Sequence, residues 1–222
     1  LSSSSFETAS TAASPASGCD ALSSLEHDRR SLRRELRRRR RRLSSRERRL
    51  ASQALCRRLK RLPELQRGQR VALYLPNDGE IDPRPLMAWL RARGARVYLP
   101  VLRPLVENRL WFVRYDATTR MTTNRFGIHE PDTRFGAARA NRLPAWALDT
   151  VLLPLVGFDD AGNRMGMGGG FYDRTFAFAR HRRPAPVLIG LAHDCQRVDT
   201  LPVARWDVPL DAIASDARLV RP

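Results

Sequence analysis

No stretch of this 222-residue chain is apolar over the length of a membrane span, and its first residues, rich in Ser, Ala and Thr, lack the apolar core of a secretory signal. No membrane role is expected. Cysteine is scarce: Cys19, Cys56 and Cys195 stand at unrelated spacings, which give neither a metal-ligand pattern nor an even disulfide set. Reduced thiols in a cytoplasmic protein are the expectation. Lysine is nearly absent, Lys60 being the only one among 40 basic residues. No Gly-Lys-Ser/Thr therefore closes a glycine-rich segment, which excludes the P-loop, and Phe171 stands where a dinucleotide fingerprint needs its last glycine.

The net charge of +17 looks like a nucleic-acid signature until it is located. Residues 29–61 carry +15 of it, against −4 for residues 1–28 and +6 for residues 62–222. Within the basic segment Leu32, Leu36, Leu43, Leu50, Ala54 and Leu59 recur at helical spacing, so the segment is an amphipathic helix with one docked face. Ser44 and Glu47 form the pattern of a capping box, which splits it into two helices near Leu43. Aromatic residues do not interleave with the arginines, and the run Arg37–Arg42 reads mainly as a solvated face. A nucleic-acid partner is not expected. Arg29, Arg30 and Arg33, at the start of the helix, are placed to fold over a neighbouring site. The Ser/Ala-rich residues 1–24 read as a disordered tail, and residues 25–222 as a single domain.

Beyond the basic segment two β-α-β units are legible. Val71–Leu75 is a short buried strand, Pro83–Arg93 a helix stopped by Gly94, and Ala95–Pro100 the next strand. The second unit runs from a strand at Thr150–Val156 through a glycine-rich turn and a helix to a strand at Val187–Leu191. Parallel strands joined by helices place their carboxyl ends on one side, where open α/β sheets bind ligands. Between the units lies a further strand candidate, Arg109–Tyr115, and a stretch from Thr122 to Pro131 that reads as irregular, with His129 as a hydrogen-bonded loop residue.

The glycine turn lies within Asn163–Arg174, N-R-M-G-M-G-G-G-F-Y-D-R, with four glycines in the five positions 166–170. Amides that no side chain covers, between a strand and a helix, suit a phosphate; a turn that needs only positive φ would look the same. Among carboxylates, Glu80 sits just past the first strand and can accept paired N–H bonds from a heterocycle, while Asp82 before Pro83 is the better helix cap. Asp173 closes the glycine loop, and Asp207 could join it as an oxygen ligand of magnesium.

Taken together, the Arg-Arg-Ser-Leu-Arg entry at Arg29–Arg33, the Glu80 loop, F-G-I-H-E-P, the P-L-V-G-F-D-D-A-G-N-R-M-G-M-G-G-G-F-Y-D-R core and the closing W-D-V-P-L-D resemble the 5-formyltetrahydrofolate cyclo-ligase family over residues 29 to about 216. The resemblance implies a Rossmann-like three-layer α/β/α fold with a mostly parallel sheet behind a basic N-terminal helical segment. It further implies ATP as co-substrate, Mg2+, and 5-formyltetrahydrofolate, polyglutamylated or not, as substrate; a monomer is the expected state. Carried across, Arg29, Arg30, Ser31, Leu32 and Arg33 would meet ATP, as would Arg164, Met165, Gly166, Met167, Gly168, Gly169, Gly170, Phe171 and Tyr172. Leu75, Glu80, Met167 and Phe171 would meet the folate, Asp173 and Asp207 the metal, and Arg164, Tyr172 and Asp173 would serve catalysis. Gly169 stands where many members have Lys, and Ala214-Ser215-Asp216 replaces a common Val-Thr-Glu.

Overall fold

The structure, a computed structural model, describes residues 17–104, 106, 108–134, 140–182 and 184–222, with backbone alone for residues 17–24. Three helices lead in: α1 (Ser17–Arg42), α2 (Ser45–Leu59) and α3 (Pro63–Arg67). The split at Ser44 is as expected. Ser44 accepts from the Glu47 amide and Glu47 accepts from the Ser44 amide, satisfying two donors that the start of α2 would otherwise leave open. The tail expectation changes in part. Residues 17–24 are already helical, because Asp20 suits the first turn of a helix and Ala21 and Leu22 are strong helix formers; residues 1–16 lie outside the described residues.

The sheet follows as β1 (Arg70–Ala72), α4 (Arg84–Ala92), β2 (Arg96–Leu102), β3 (Leu110–Arg114), β4 (Met121–Thr123), β5 (His129–Pro131), β6 (Arg142–Leu143), β7 (Thr150–Pro154), β8 (Gly157–Phe158), β9 (Arg164–Met165), α5 (Phe171–Phe176), β10 (Val187–Leu191), β11 (Ala212–Ala214) and β12 (Leu219–Val220). The main sheet has the order β12-β11-β10-β7-β1-β2-β3-β6, with β11, β10, β7, β1 and β2 mutually parallel. Strand periodicity divides the core into two layers. Val71, Val97, Leu99, Leu152 and Ile189 pack with α2, α3 and α4 on one face; Ala72, Tyr98, Val151, Leu153 and Leu188 pack with Phe158 and Phe176 on the other. This is the expected three-layer arrangement. From β1 the chain moves outward to β2, and from β7 it moves the opposite way to β10 and β11, so the switch point lies between β1 and β7.

Three local expectations change. Leu50 is 53% exposed rather than docked, because α2 buries Ser52, Leu55, Cys56 and Leu59 instead, which share the face one turn round. Residues 121–131 form a β-hairpin rather than an irregular loop: the Asn124 side chain accepts from the Phe126 and Ile128 amides and Gly127 turns the chain at φ +73°. The arginine run is not a uniform solvated face. Arg38 and Arg39 pair with Glu35 on the outside, whereas Arg37, Arg40 and Arg41 converge on Asp78, and Arg40 is completely buried.

Candidate functional site

A cleft of about 1210 Å³ opens at the carboxyl ends of β1 and β7, at the switch point. The β8–β9 hairpin delivers the glycine loop to it. Asp159 braces that hairpin, accepting from the Asn163 amide, the Asn163 side chain and the Leu201 amide. Gly168 and Gly170 have φ of +95° and +66°, so the turn does need glycine for its backbone. Its amides are also available: among the described residues, no acceptor takes the N–H of Met167, Gly168, Gly169 or Gly170. The two readings left open by the sequence therefore coexist. α5 is only six residues long and passes into a 3-10 turn at Ala177–Arg180, so the positive potential comes from loop amides and arginines rather than from a long helix. Arg33 lies across the loop, donating Nε to the Gly166 carbonyl at 3.1 Å, and burial holds its pKa below the usual guanidinium value.

Each of the two candidate metal carboxylates has an arginine partner. Asp173 Oδ1 accepts from Arg164 Nη2 at 2.5 Å and from the Val208 amide at 3.0 Å. Asp207 accepts from Arg29 at 3.0 and 3.3 Å and from the Ala204 amide at 2.9 Å. No group of three or more His, Cys, Asp or Glu side chains that could cage a metal occurs among the described residues. Magnesium is commonly held by one or two carboxylates with phosphate and water completing its shell, so a pair of aspartates beside open amides fits that ion and would fit a fully protein-ligated one poorly.

Across the cleft, Glu80 is 11% exposed at its side chain. Burial pushes its carboxyl up to about 7, against the pull of Arg40, whose Nη2 stands 3.7 Å from Oε1, and of the Asn77 amide, which donates to Oε2 at 3.1 Å. Tyr172 faces the same carboxylate. Burial and the Glu80 charge push its phenol well above the ordinary value, so it offers a proton donor and not a base.

Of the residues singled out by sequence, Arg29, Arg33, Leu75, Glu80, Arg164, Gly166 to Asp173, and Asp207 line this one cleft. Arg30, Ser31 and Leu32 do not, because on a helix only Arg29 and Arg33, one turn apart, share the face. Met165 is fully buried in the hairpin and belongs to the core. Sequence reasoning counted F-G-I-H-E-P toward the resemblance but gave its residues no place at the site. The β4–β5 hairpin contributes Asn124, Phe126, Ile128, His129 and Glu130, and Phe126 meets Phe171 edge-on with centroids 5.7 Å apart. Trp206, next to Asp207, lines the rim at 57% exposure. Exposed aromatics beside turn residues were the available signal, but their convergence is tertiary.

The chain matches the model of the 5-formyltetrahydrofolate cyclo-ligase family over residues 25–216. It is 43% identical over 169 residues to the 5-formyltetrahydrofolate cyclo-ligase of Escherichia coli K12, covering 75% of this chain and 88% of that protein. With the Haemophilus influenzae 5-formyltetrahydrofolate cyclo-ligase it shares 44% identity over 158 residues, 71% of this chain and 81% of the relative. The solved structure of Aquifex aeolicus 5,10-methenyltetrahydrofolate synthetase superposes with a TM-score of 0.72 at 30% identity, covering 87% of this chain and 92% of that one.

Proposed function

The chain belongs to the 5-formyltetrahydrofolate cyclo-ligase family, and from that premise we propose how its cleft converts 5-formyltetrahydrofolate to 5,10-methenyltetrahydrofolate: with ATP as co-substrate, with magnesium, and through a phosphorylated formyl oxygen. The observation that carries the reading is that unpartnered loop amides at residues 167–170 and a buried carboxylate, Glu80, line one cleft. The amides suit a polyphosphate and the carboxylate a heterocycle rich in N–H donors.

The substrate sets the task. A formyl amide is a poor electrophile because its nitrogen feeds the carbonyl, and hydroxide is a poor leaving group from the cyclised adduct. Transfer of the γ-phosphoryl group to the formyl oxygen, with ADP leaving, answers both difficulties: N10 attacks the resulting iminium phosphate carbon and gives up its proton to solvent, and phosphate then leaves with the oxygen. In this scheme the amides of residues 166–170, with Arg33 and Arg164, hold the phosphates and compensate charge that develops on them. Gly169 carries no charge of its own, which leaves that task to these arginines and to Arg29. Leu75, Met167 and Phe171 flank the folate, and Glu80 accepts its N–H edge. Tyr172 stays protonated and donates. Asp173 and Asp207 would hold magnesium, which when bound supplies charge neutralisation at the phosphates. Arg164 and Arg29 meanwhile keep these two carboxylates oriented.

The test is direct. Purified protein is mixed with 5-formyltetrahydrofolate with and without magnesium ATP, and the near-ultraviolet absorbance of the methenyl product is followed. A rise that needs both nucleotide and metal supports the reading; a rise without ATP overturns the phosphorylated intermediate, and a rise with ATP in the presence of a chelator overturns the metal's part.

A further inference from the structure

Nothing in the reaction scheme uses Arg40, yet among the described residues it is the most deeply buried cation, with its side chain 0% exposed in the middle of the six-arginine run. A charge is buried only where it is compensated on several sides. All three guanidinium nitrogens of Arg40 are engaged. Nε donates to the Asp78 carbonyl at 2.9 Å, Nη1 to the Leu155 carbonyl at 3.2 Å, and Nη2 to Asp78 Oδ2 at 2.9 Å while standing 3.7 Å from Glu80 Oε1. One side chain thus ties the turn after β1, which carries Glu80, to the segment after β7 that leads into the glycine loop.

That turn is docked against α1. The Glu80 amide donates to the Asn77 carbonyl at 2.9 Å, and both central residues are left-handed, Asp78 at φ +52° and Gly79 at φ +76°. Two positive φ values in a row are the pattern of a type I′ turn, for which Asp-Gly is a favoured pair; its shape is local, and its placement against α1 is what the arginines supply. The backbone of α1 packs directly on Gly79, whose Cβ position lies 3.5 Å from the Arg40 carbonyl oxygen. Arg37 and Arg41 pin Asp78 from the same helix.

We propose that Arg40 is the positioning residue of the folate-binding carboxylate: it fixes the Asn77–Glu80 turn against α1 and supplies the countercharge that keeps buried Glu80 able to accept the N–H edge of the substrate. This rests on the reading of Glu80 as a folate contact. The groups facing Glu80 are Arg40 and Arg37 from α1, Asp78 and the Asn77 amide in its own turn, Tyr74 just past β1 and Tyr172 from α5. Burial and Asp78 favour the neutral acid; Arg40 is the nearest charge opposing them, alongside the Asn77 amide. Removing its charge therefore leaves the carboxylate protonated to higher pH, so that as pH falls, binding that requires the anion is lost sooner, below a higher pH.

The experiment measures the dissociation constants of 5-formyltetrahydrofolate and of ATP, each across pH 5.5–9, for the wild type, Arg40→Met, Arg40→Lys and Glu80→Gln, with folding checked by circular dichroism. Arg40→Met is expected to weaken folate binding roughly tenfold at neutral pH, in line with the cost of small displacements at a binding constellation. It should also move the pH below which folate binding is lost upward, leaving ATP affinity within about twofold. Arg40→Lys keeps the charge without the fork: folate binding weakens while its pH profile stays near that of the wild type. If Arg40→Met does not fold, Arg40→Lys carries the test through the same split between folate and ATP. Equal loss of both ligands, or folate affinity unchanged in Arg40→Lys and a pH profile unmoved in Arg40→Met, overturns the proposal. Glu80→Gln separates the two layers. If it leaves folate binding and its pH dependence intact, the underlying assignment of Glu80 fails; if it abolishes the pH dependence while the Arg40 variants do not differ from wild type, only the Arg40 proposal fails.

Discussion

Adding a single methyl group to Gly166 distinguishes a phosphate cradle from a purely structural turn. A Cβ built at Gly166 meets nothing within 4 Å, and its φ is not in the left-handed region, so alanine fits without strain. Such a change is expected to leave stability unchanged or to raise it by about 0.4–1 kcal/mol, because alanine restricts the unfolded chain. Gly170 is the contrasting case: φ is +66°, and an added Cβ would stand 2.7 Å from Arg174 Nη1. There alanine should cost about 1–2 kcal/mol, or a fall in Tm of about 2–8 °C for a domain of this size. Binding sorts the other way. At Gly166 the methyl group enters the cleft beside the amides that would face phosphate, and ATP affinity should fall at least about tenfold, equivalent to ~1.4 kcal/mol. Differential scanning fluorimetry reads stability, and calorimetric titration reads ATP and 5-formyltetrahydrofolate separately. An unchanged Tm with ATP affinity also unchanged would refute the cradle at this position; a Tm lowered by several degrees would refute the open space.

Asp173→Asn should lower kcat by at least tenfold while changing the dissociation constant of 5-formyltetrahydrofolate less than threefold, read by single-turnover kinetics and titration; comparable loss in both would count against a role at the phosphates. Folate binding to the wild type should weaken as pH falls through about 7, the value to which burial raises Glu80, by up to tenfold per unit below it, because the ionised form is the acceptor. A flat profile between pH 5.5 and 8 would contradict this. Ser44→Ala removes the cap of α2 and should cost about 1 kcal/mol of stability without altering kcat. Leu36→Ala, at a side chain with no exposure where α1 packs against Gly157, should cost about 2–5 kcal/mol, checked by denaturant unfolding.

Much of the architecture was legible because it follows from local rules. Strand β10 lies where its apolar run stands, and the break between α1 and α2 falls at the Ser44–Glu47 box, because a cap is made by residues three apart. The glycine loop announced both its turn and its free amides, since glycine acts through backbone geometry that needs no partner. The hairpin at residues 121–131 was not legible. Its strands are three residues each and are held by the Asn124 side chain rather than by an alternating apolar pattern.

Sequence alone therefore determined the β-α-β order, the family resemblance, and the residue types at the loop and the carboxylates, all properties of neighbours along the chain. Tertiary structure alone decided which arginines matter. In a run of identical side chains, sequence offers no basis for choosing Arg40 over Arg39. Helical phase and the approach of the Asp78 turn bury one and leave the other outside with Glu35. The same holds for Arg29 and Arg33 against Arg30, and for the wall that Phe126 builds opposite Phe171. A charge acquires its role from the desolvation and partners it meets in three dimensions, and neither is a property of its neighbours in sequence.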